Sequence, residues 1–174
     1  MKLEDISTDN IRNSVLLPFV TETIDTLKSM ADLTGRSDLL THHDPLDLFV
    51  FKGFAVSIGA TFSNGVTNNV VMNFEESTAI TIGNKVRSVM FGTNEADTTL
   101  NDENKEALAE FLNTMVGRAT REINETNHKI TFDAPLLLYN KEDSEFLMNG
   151  VKDIMTVPVD LGGVGRFYLS FLVR

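Results

Sequence analysis

Two polar side chains one helical turn apart, Glu110 and Asn113, have the residue types and spacing in this sequence that best suit chemistry. A carboxylate can bind a cation, and a carboxamide has both a donor and an acceptor with which to orient a water molecule. Residues three or four apart share one face of an α-helix, so Glu106 and Gly117 join the same stripe. The spacing predicts either a functional stripe or an ordinary solvated helix face.

The helix that must position this stripe is predicted from Asn101 or Asp102 to about Glu125. Acidic residues in its first turn suit the helix dipole. Its opposite half has apolar residues at helical spacing and is predicted to face the core: Ala107, Leu108, Phe111, Leu112, Met115, Val116, Ala119 and Ile123. Glycine inside a helix costs about 1 kcal/mol relative to alanine, so Gly117 indicates a close approach by a partner or an accident of packing.

The remaining sequence predicts two more helices and several strands. Helical spacing predicts a first helix over 15–31, with Pro18 in its first turn, and a second over 75–92. Strands are predicted over 46–62 and 66–74, joined by Asn64-Gly65 as a hairpin, and over 130–139, 153–160 and 164–173. This order predicts an α+β fold, a two-layer sandwich of a largely antiparallel sheet with long helices.

Composition limits the classes of function. With 174 residues, 42% of them hydrophobic, the chain is predicted to form a single domain over 1–174. It contains no cysteine, which excludes disulfides and thiol chemistry. A net charge of −10 disfavours nucleic acid as a partner. We find no signal peptide and no apolar run long enough for a membrane helix, and therefore expect a cytoplasmic protein.

A short internal echo is also present. The segment from Phe19 to Asp25 aligns with that from Ala107 to Asn113, which indicates a possible internal duplication of a helix and its strands. Any two amphipathic helices could produce such a match, so coincidence remains the alternative. The echo has Glu22 at the position of Glu110 but Asp25 at the position of Asn113.

The run from Glu110 to Ala119 resembles the signature of the CheX branch of the CheC, CheX and FliY phosphatase family. In that signature Glu-x-x-Asn is followed by a glycine four residues after the asparagine. The resemblance covers nearly the whole chain, because further features fall at comparable places: Leu17-Pro18-Phe19, the hairpin from Gly53 to Phe74, Phe91-Gly92 and Ala134-Pro135.

The resemblance implies a CheC-like fold and a protein phosphatase that accelerates hydrolysis of the aspartyl phosphate of a CheY-like response regulator. Asn113 would orient the attacking water, Glu110 would pair with a lysine of the partner, and Gly117 and Glu106 would lie at the partner-binding surface. The response regulator would supply Mg²⁺ in its own active site, and this chain alone would bind no cofactor. The resemblance also implies a homodimer, with a sheet edge exposed by the closing strands as one interface.

A noncatalytic module that binds a receiver domain through the same helix face is the alternative. Asn113 favours the enzyme, since binding alone does not require an amide there. Because the echo has Asp25 instead of asparagine, we predict one active face per chain.

Three other motifs are interpreted as structural. The run Thr41-His42-His43-Asp44 has too few convergent ligands for zinc and is predicted to be a loop without metal. The glycines from Gly162 to Gly165 lack the Lys-Ser/Thr of a phosphate loop and predict a hairpin turn. His128 has no nucleophile partner in the sequence, and no Gly-x-Ser-x-Gly motif occurs.

Overall fold

A computed structural model describes residues 8–46, 49–125 and 129–174 of the chain. Its helical segments are α1 (Thr8–Ile11), a π-helical turn (Arg12–Leu16), α2 (Leu17–Ala31), α3 (Glu76–Phe91), α4 (Asp102–Glu125) and α5 (Lys141–Leu147). Its strands are β1 (His42–His43), β2 (Gly53–Thr61), β3 (Thr67–Glu75), β4 (Thr131–Phe132), β5 (Leu136–Leu138), β6 (Asp153–Asp160) and β7 (Arg166–Val173). No helix in these ranges is long and apolar enough to cross a lipid bilayer.

The strands form one sheet of seven, in the order β1-β6-β7-β3-β2-β4, with β5 also paired to β2. Every strand pair in the described ranges is antiparallel. Asn64-Gly65 lies in the loop between β2 and β3, where Gly65 has a φ of 80°. The predicted α+β class, the antiparallel sheet and both hairpins are therefore confirmed.

The strand order has an approximate twofold pattern about the β3–β7 pair. Helix α2 precedes the short strand β1 and the hairpin β2–β3, while α4 precedes β4, β5 and the hairpin β6–β7. The short strands of each of these two sets pair with the hairpin of the other set. Strand β1 pairs with β6, and β4 and β5 pair with β2. This exchange gives α2 and α4 equivalent places in the fold, while the internal duplication itself stays a prediction.

The main core lies between one face of the sheet and the three long helices. Strand residues alternate between the faces, so that Phe54, Val56 and Ile58 of β2 pack with the helices while Ala55 faces the other way. All eight apolar residues predicted for the inner half of α4 are buried. This packing determines the orientation of α4, and therefore which of its residues face solvent.

Pro18 lies in the first turn of α2, as predicted, but further helical structure precedes it, so the predicted start near residue 15 is wrong. Helical structure begins at Thr8, and the π-helical turn Arg12–Leu16 comes directly before α2. A proline inside a helix removes one hydrogen bond and clashes with the carbonyl four residues earlier, here that of Ser14. The π-helical turn contains Ser14 and widens the backbone at the point where the ring needs room.

Three further predicted boundaries differ. The strand predicted over 46–62 begins at Gly53. The strand predicted over 130–139 is divided into β4 and β5, since Pro135 cannot donate a hydrogen bond to a neighbouring strand. The last strand begins at Arg166, because Gly162–Val164 form a 3₁₀ turn.

Helix α5 was not predicted, and it adds a small second core on the opposite face of the sheet. Leu147 and Val151 pack there against Leu138 and Ile154. The helix has only seven residues, too few for helical periodicity to show in the sequence. Asn140 caps it, because its side chain accepts a hydrogen bond from the Asp143 N–H at 2.9 Å.

The closing strands do not provide the free edge expected for a dimer. Strand β7 lies between β6 and β3. On the outer side of β6, Arg36 and Asp160 exchange two backbone hydrogen bonds of 2.8 Å, and the Asp44 N–H donates to the Ile154 carbonyl at 3.0 Å. The homodimer itself stays a prediction.

Candidate functional site

The candidate site is the outer stripe of α4, which contains Glu106, Glu110, Asn113 and Gly117. All four residues are exposed. The helix begins at Asp102, and the Asn101 side chain caps it by accepting a hydrogen bond from the Asn104 N–H at 2.9 Å. The predicted stripe is therefore a surface on a rigid helix rather than on a loop.

The polar side chains of this stripe are available to a partner. Within the described ranges, Glu106, Glu110 and Asn113 make no side-chain hydrogen bond or ion pair. A carboxylate and an amide one turn apart can together hold a cationic group and orient a water molecule.

Gly117 leaves the helix backbone uncovered at the end of the stripe. A Cβ built there would have no atom within 4 Å, among the described residues, outside its own helix turn. At Gly83 on α3, by contrast, a Cβ would lie 3.0–3.1 Å from three atoms of Asn104. Gly83 is thus required by the close packing of α3 on α4, whereas internal packing does not require a glycine at position 117.

A polar network that the sequence did not predict holds the start of α4 against α3. Arg87 is buried, and its guanidinium donates hydrogen bonds to Asp97 and to Glu103. Asn84 is bonded twice to the Asp97 backbone, at 2.8 and 3.1 Å. Two hydrogen bonds lower the pKa of the Asp97 carboxyl group. The larger effect comes from Asn101 and the smaller one from Arg87. The network fixes the connection that leads into the stripe-bearing helix.

The equivalent surface of α2 is organised differently. Glu22 is half-buried and lies beside Glu122 of α4. Burial is the main cause of the raised pKa of Glu22, and the acidic neighbour Glu122 raises it further. Arg118 extends toward α2, where its Nη1 lies 3.1 Å from Ser29 Oγ and 3.4 Å from Thr26 Oγ1. The acidic side chain of α2 is therefore engaged within the protein, while Glu110 of α4 is exposed.

The histidine pair forms the short edge strand β1 instead of a loop. His43 Nδ1 lies 3.1 Å from the Asp153 carboxylate of β6. In the part of the chain that the structure describes, no three histidine, aspartate or glutamate side chains converge as a metal site would need. His128 lies outside the described residues.

Together, the fold and the site define an α+β domain whose longest helix displays a carboxylate and an amide to solvent. No family profile matches the sequence, and no curated protein matches it.

Solved structures of chemotaxis proteins have the same fold over most of their length. The CheX protein of Vibrio vulnificus superposes with a TM-score of 0.68 at 19% identity, covering 89% of this chain and 95% of that one. A CheC-like superfamily protein from Shewanella sp. PV-4 gives 0.70 at 16% identity, covering 91% and 96%. A chain of the CheX–CheY–BeF3–Mg²⁺ complex from Borrelia burgdorferi gives 0.62 at 18% identity, also covering 91% and 96%. The predicted CheC-like fold is confirmed.

Proposed function

We propose that this protein accelerates hydrolysis of the aspartyl phosphate of a CheY-like response regulator, in chemotaxis or another two-component pathway. The observation that supports this most directly is the exposed pair Glu110 and Asn113 on α4 of a CheC-like fold. The complex of CheX with CheY, BeF3 and Mg²⁺ contains a chain of similar fold, and this supports a CheY-like partner.

The reaction is attack of water on the phosphorus of the acyl phosphate. The bond between phosphorus and the aspartate oxygen breaks, the electron pair leaves with the carboxylate, and inorganic phosphate is the second product. The phosphoaspartate and Mg²⁺ belong to the receiver, so this chain needs no cofactor of its own. Its contribution is to position the water, which lowers the entropic part of the barrier.

Asn113 has the chemistry that water positioning requires. Its amide can hold the water by hydrogen bonds without adding negative charge beside a phosphoryl group that is already anionic. Glu110, one turn away and exposed, pairs with a lysine of the receiver and fixes the approach of the helix. The open backbone at Gly117 allows the partner surface to come close to α4.

The test follows the decay of phosphorylated CheY-like receivers with the wild-type protein, with Asn113→Ala and with Asn124→Ala. Asn124 is an exposed asparagine on the same helix, about three turns beyond Asn113, and serves as the matched control. We expect Asn113→Ala to lose about 10²-fold in rate and Asn124→Ala to retain the wild-type rate.

Two results would contradict the proposal. If the wild-type protein does not change the decay rate of any phosphorylated receiver of the source organism, the enzymatic function is excluded. If a receiver nevertheless binds, the protein is the noncatalytic binding module. Decay accelerated equally by Asn113→Ala excludes the mechanism.

A further inference from the structure

A groove of about 620 Å³ lies between the end of α3 and the first turns of α4, directly beside the stripe. Helix α3 contributes the apolar side chains of Met90 and Phe91 to its lining, and α4 contributes the buried Ala107. The acidic part of the lining, also from α4, consists of Glu103, Glu106 and Glu110. Glu110 therefore belongs both to the groove and to the candidate catalytic stripe.

The apolar part of the lining from α3 is unusually exposed for large side chains at a helix end. Phe91 is 68% exposed and Met90 is 43% exposed. Exposed aromatic and methionine side chains next to one another are typical of interaction surfaces, where a partner removes them from water.

The groove is acidic and is held in shape before any partner binds. Among the described residues that line it, Arg87 is the one cationic group, and it is already bonded to Asp97 and Glu103, so its charge is compensated. Helix α3 ends at Gly92, where a φ of 67° turns the chain away. Because Arg87 of α3 is bonded to Glu103 of α4, the two helices are already joined beside the groove, which reduces the ordering cost of binding.

We propose that this groove binds the receiver domain beside its phosphorylated aspartate, taking an apolar side chain flanked by lysine or arginine. The inference rests on the proposed function, since the partner that engages Asn113 must also cover Glu110 and the groove next to it. The acidic part of the lining complements the basic flanks, and Phe91 packs on the apolar side chain. Asn113 thus acts on the reaction, while the groove supplies binding and specificity.

The experiment measures binding of each CheY-like receiver loaded with Mg²⁺ and beryllofluoride, so that affinity is read without turnover. Phe91→Ser is compared with Phe146→Ser, because Phe146 is an 80% exposed phenylalanine of α5, whose helix packs on the opposite face of the sheet. Glu106→Lys is a second groove variant that alters charge without removing apolar surface. We expect about tenfold weaker binding for Phe91→Ser and for Glu106→Lys, and unchanged binding for Phe146→Ser.

Steady-state decay assays separate this inference from the proposed function. If the groove only binds, its variants raise KM and leave kcat unchanged, whereas Asn113→Ala lowers kcat. If the wild-type protein binds a receiver through Phe91 but does not accelerate decay, the proposed function fails and the groove inference stands.

Three outcomes overturn the inference. In the first, both groove variants bind the loaded receiver as tightly as the wild type. In the second, no receiver binds the wild-type protein. In the third, sedimentation shows that Phe91→Ser converts a homodimer to a monomer while receiver binding is unchanged, so that the groove accommodates a second copy of this chain.

Discussion

The carboxyl group of Glu22 on α2 lies beside that of Glu122 on α4, where a hydrogen bond between them requires that one is protonated. Burial of Glu22 is the main cause of its raised pKa, and the neighbouring charges of Glu122 and Asp25 add to it, while Arg118 acts in the opposite direction. The native protein therefore binds a proton at Glu22 more tightly than the unfolded chain does.

This relationship predicts how Glu22→Gln changes stability with pH. A raised acid pKa contributes stability that is fully present below the unfolded value of about 4.5 and is lost as pH rises through the folded value. Glutamine resembles the protonated acid, so Glu22→Gln should be more stable than the wild type at pH 7 and equal to it near pH 4. Thermal unfolding at both pH values measures the difference.

The exposed loop residue Glu95 provides the control for this measurement. Glu95→Gln should leave the melting temperature nearly unchanged at both pH values. An equal gain from Glu22→Gln at pH 4 and pH 7 would show that the effect is one of packing and not of protonation.

Gly117→Ala should separate stability from activity. Because a Cβ at this position has open space among the described residues, alanine should stabilise the helix by about 0.5–1 kcal/mol. The same methyl group obstructs a partner that approaches the backbone, so acceleration of receiver dephosphorylation should fall. Denaturant unfolding and the decay assay measure the two effects on one variant.

The comparison variant is Gly83→Ala, whose Cβ would lie 3.0–3.1 Å from the buried side chain of Asn104. That side chain is held by a hydrogen bond to the Thr99 carbonyl at 3.2 Å, so α3 and α4 must separate slightly, and stability should decrease. If Gly117→Ala were stabilised and fully active, the glycine would have no role at the partner surface.

Arg87→Met should destabilise the protein by about 1–3 kcal/mol, because it leaves Asp97 and Glu103 without their shared donor. For a domain of this size each kcal/mol lowers the melting temperature by roughly 2–4 °C. Arg166→Met is the control, since its 3.2 Å ion pair with Asp160 is about half exposed, and such pairs contribute at most about 1 kcal/mol. Equal decreases in melting temperature for the two variants would show that burial of Arg87 does not contribute to stability.

The sequence predicted α4 and its exposed stripe well, because the hydrophobic periodicity alone determines which side of the helix is buried. Apolar residues at helical spacing along α4 define the buried half, and the exposed half follows from geometry. The α2 surface could not be predicted in the same way. Its pairing of Glu22 with Glu122 joins residues 100 positions apart, and only the packing of α2 on α4 brings them together.

The buried polar network of Arg87 could not be predicted from the sequence either. It lies on the inward side of an amphipathic helix, where an apolar residue is the usual expectation, and its buried position depends on partners from the following loop and helix. An arginine in an otherwise apolar helix face was the available signal for this network. Its interpretation requires knowing which acidic residues reach it.

The prediction of one active face per chain leads to a rescue experiment. If the residue type at position 25 alone kept α2 inactive, Asp25→Asn would create a second Glu-x-x-Asn pair and restore activity to Asn113→Ala. We expect the double variant to stay inactive, because Glu22 is half-buried beside Glu122, whereas Glu110 is exposed. In the alignment of the two helices, Ser29 takes the place of Gly117 and accepts a hydrogen bond from Arg118, so the backbone there is also covered. Decay of a phosphorylated receiver with the single and double variants decides this, and recovered acceleration in the double variant would show that two faces can act.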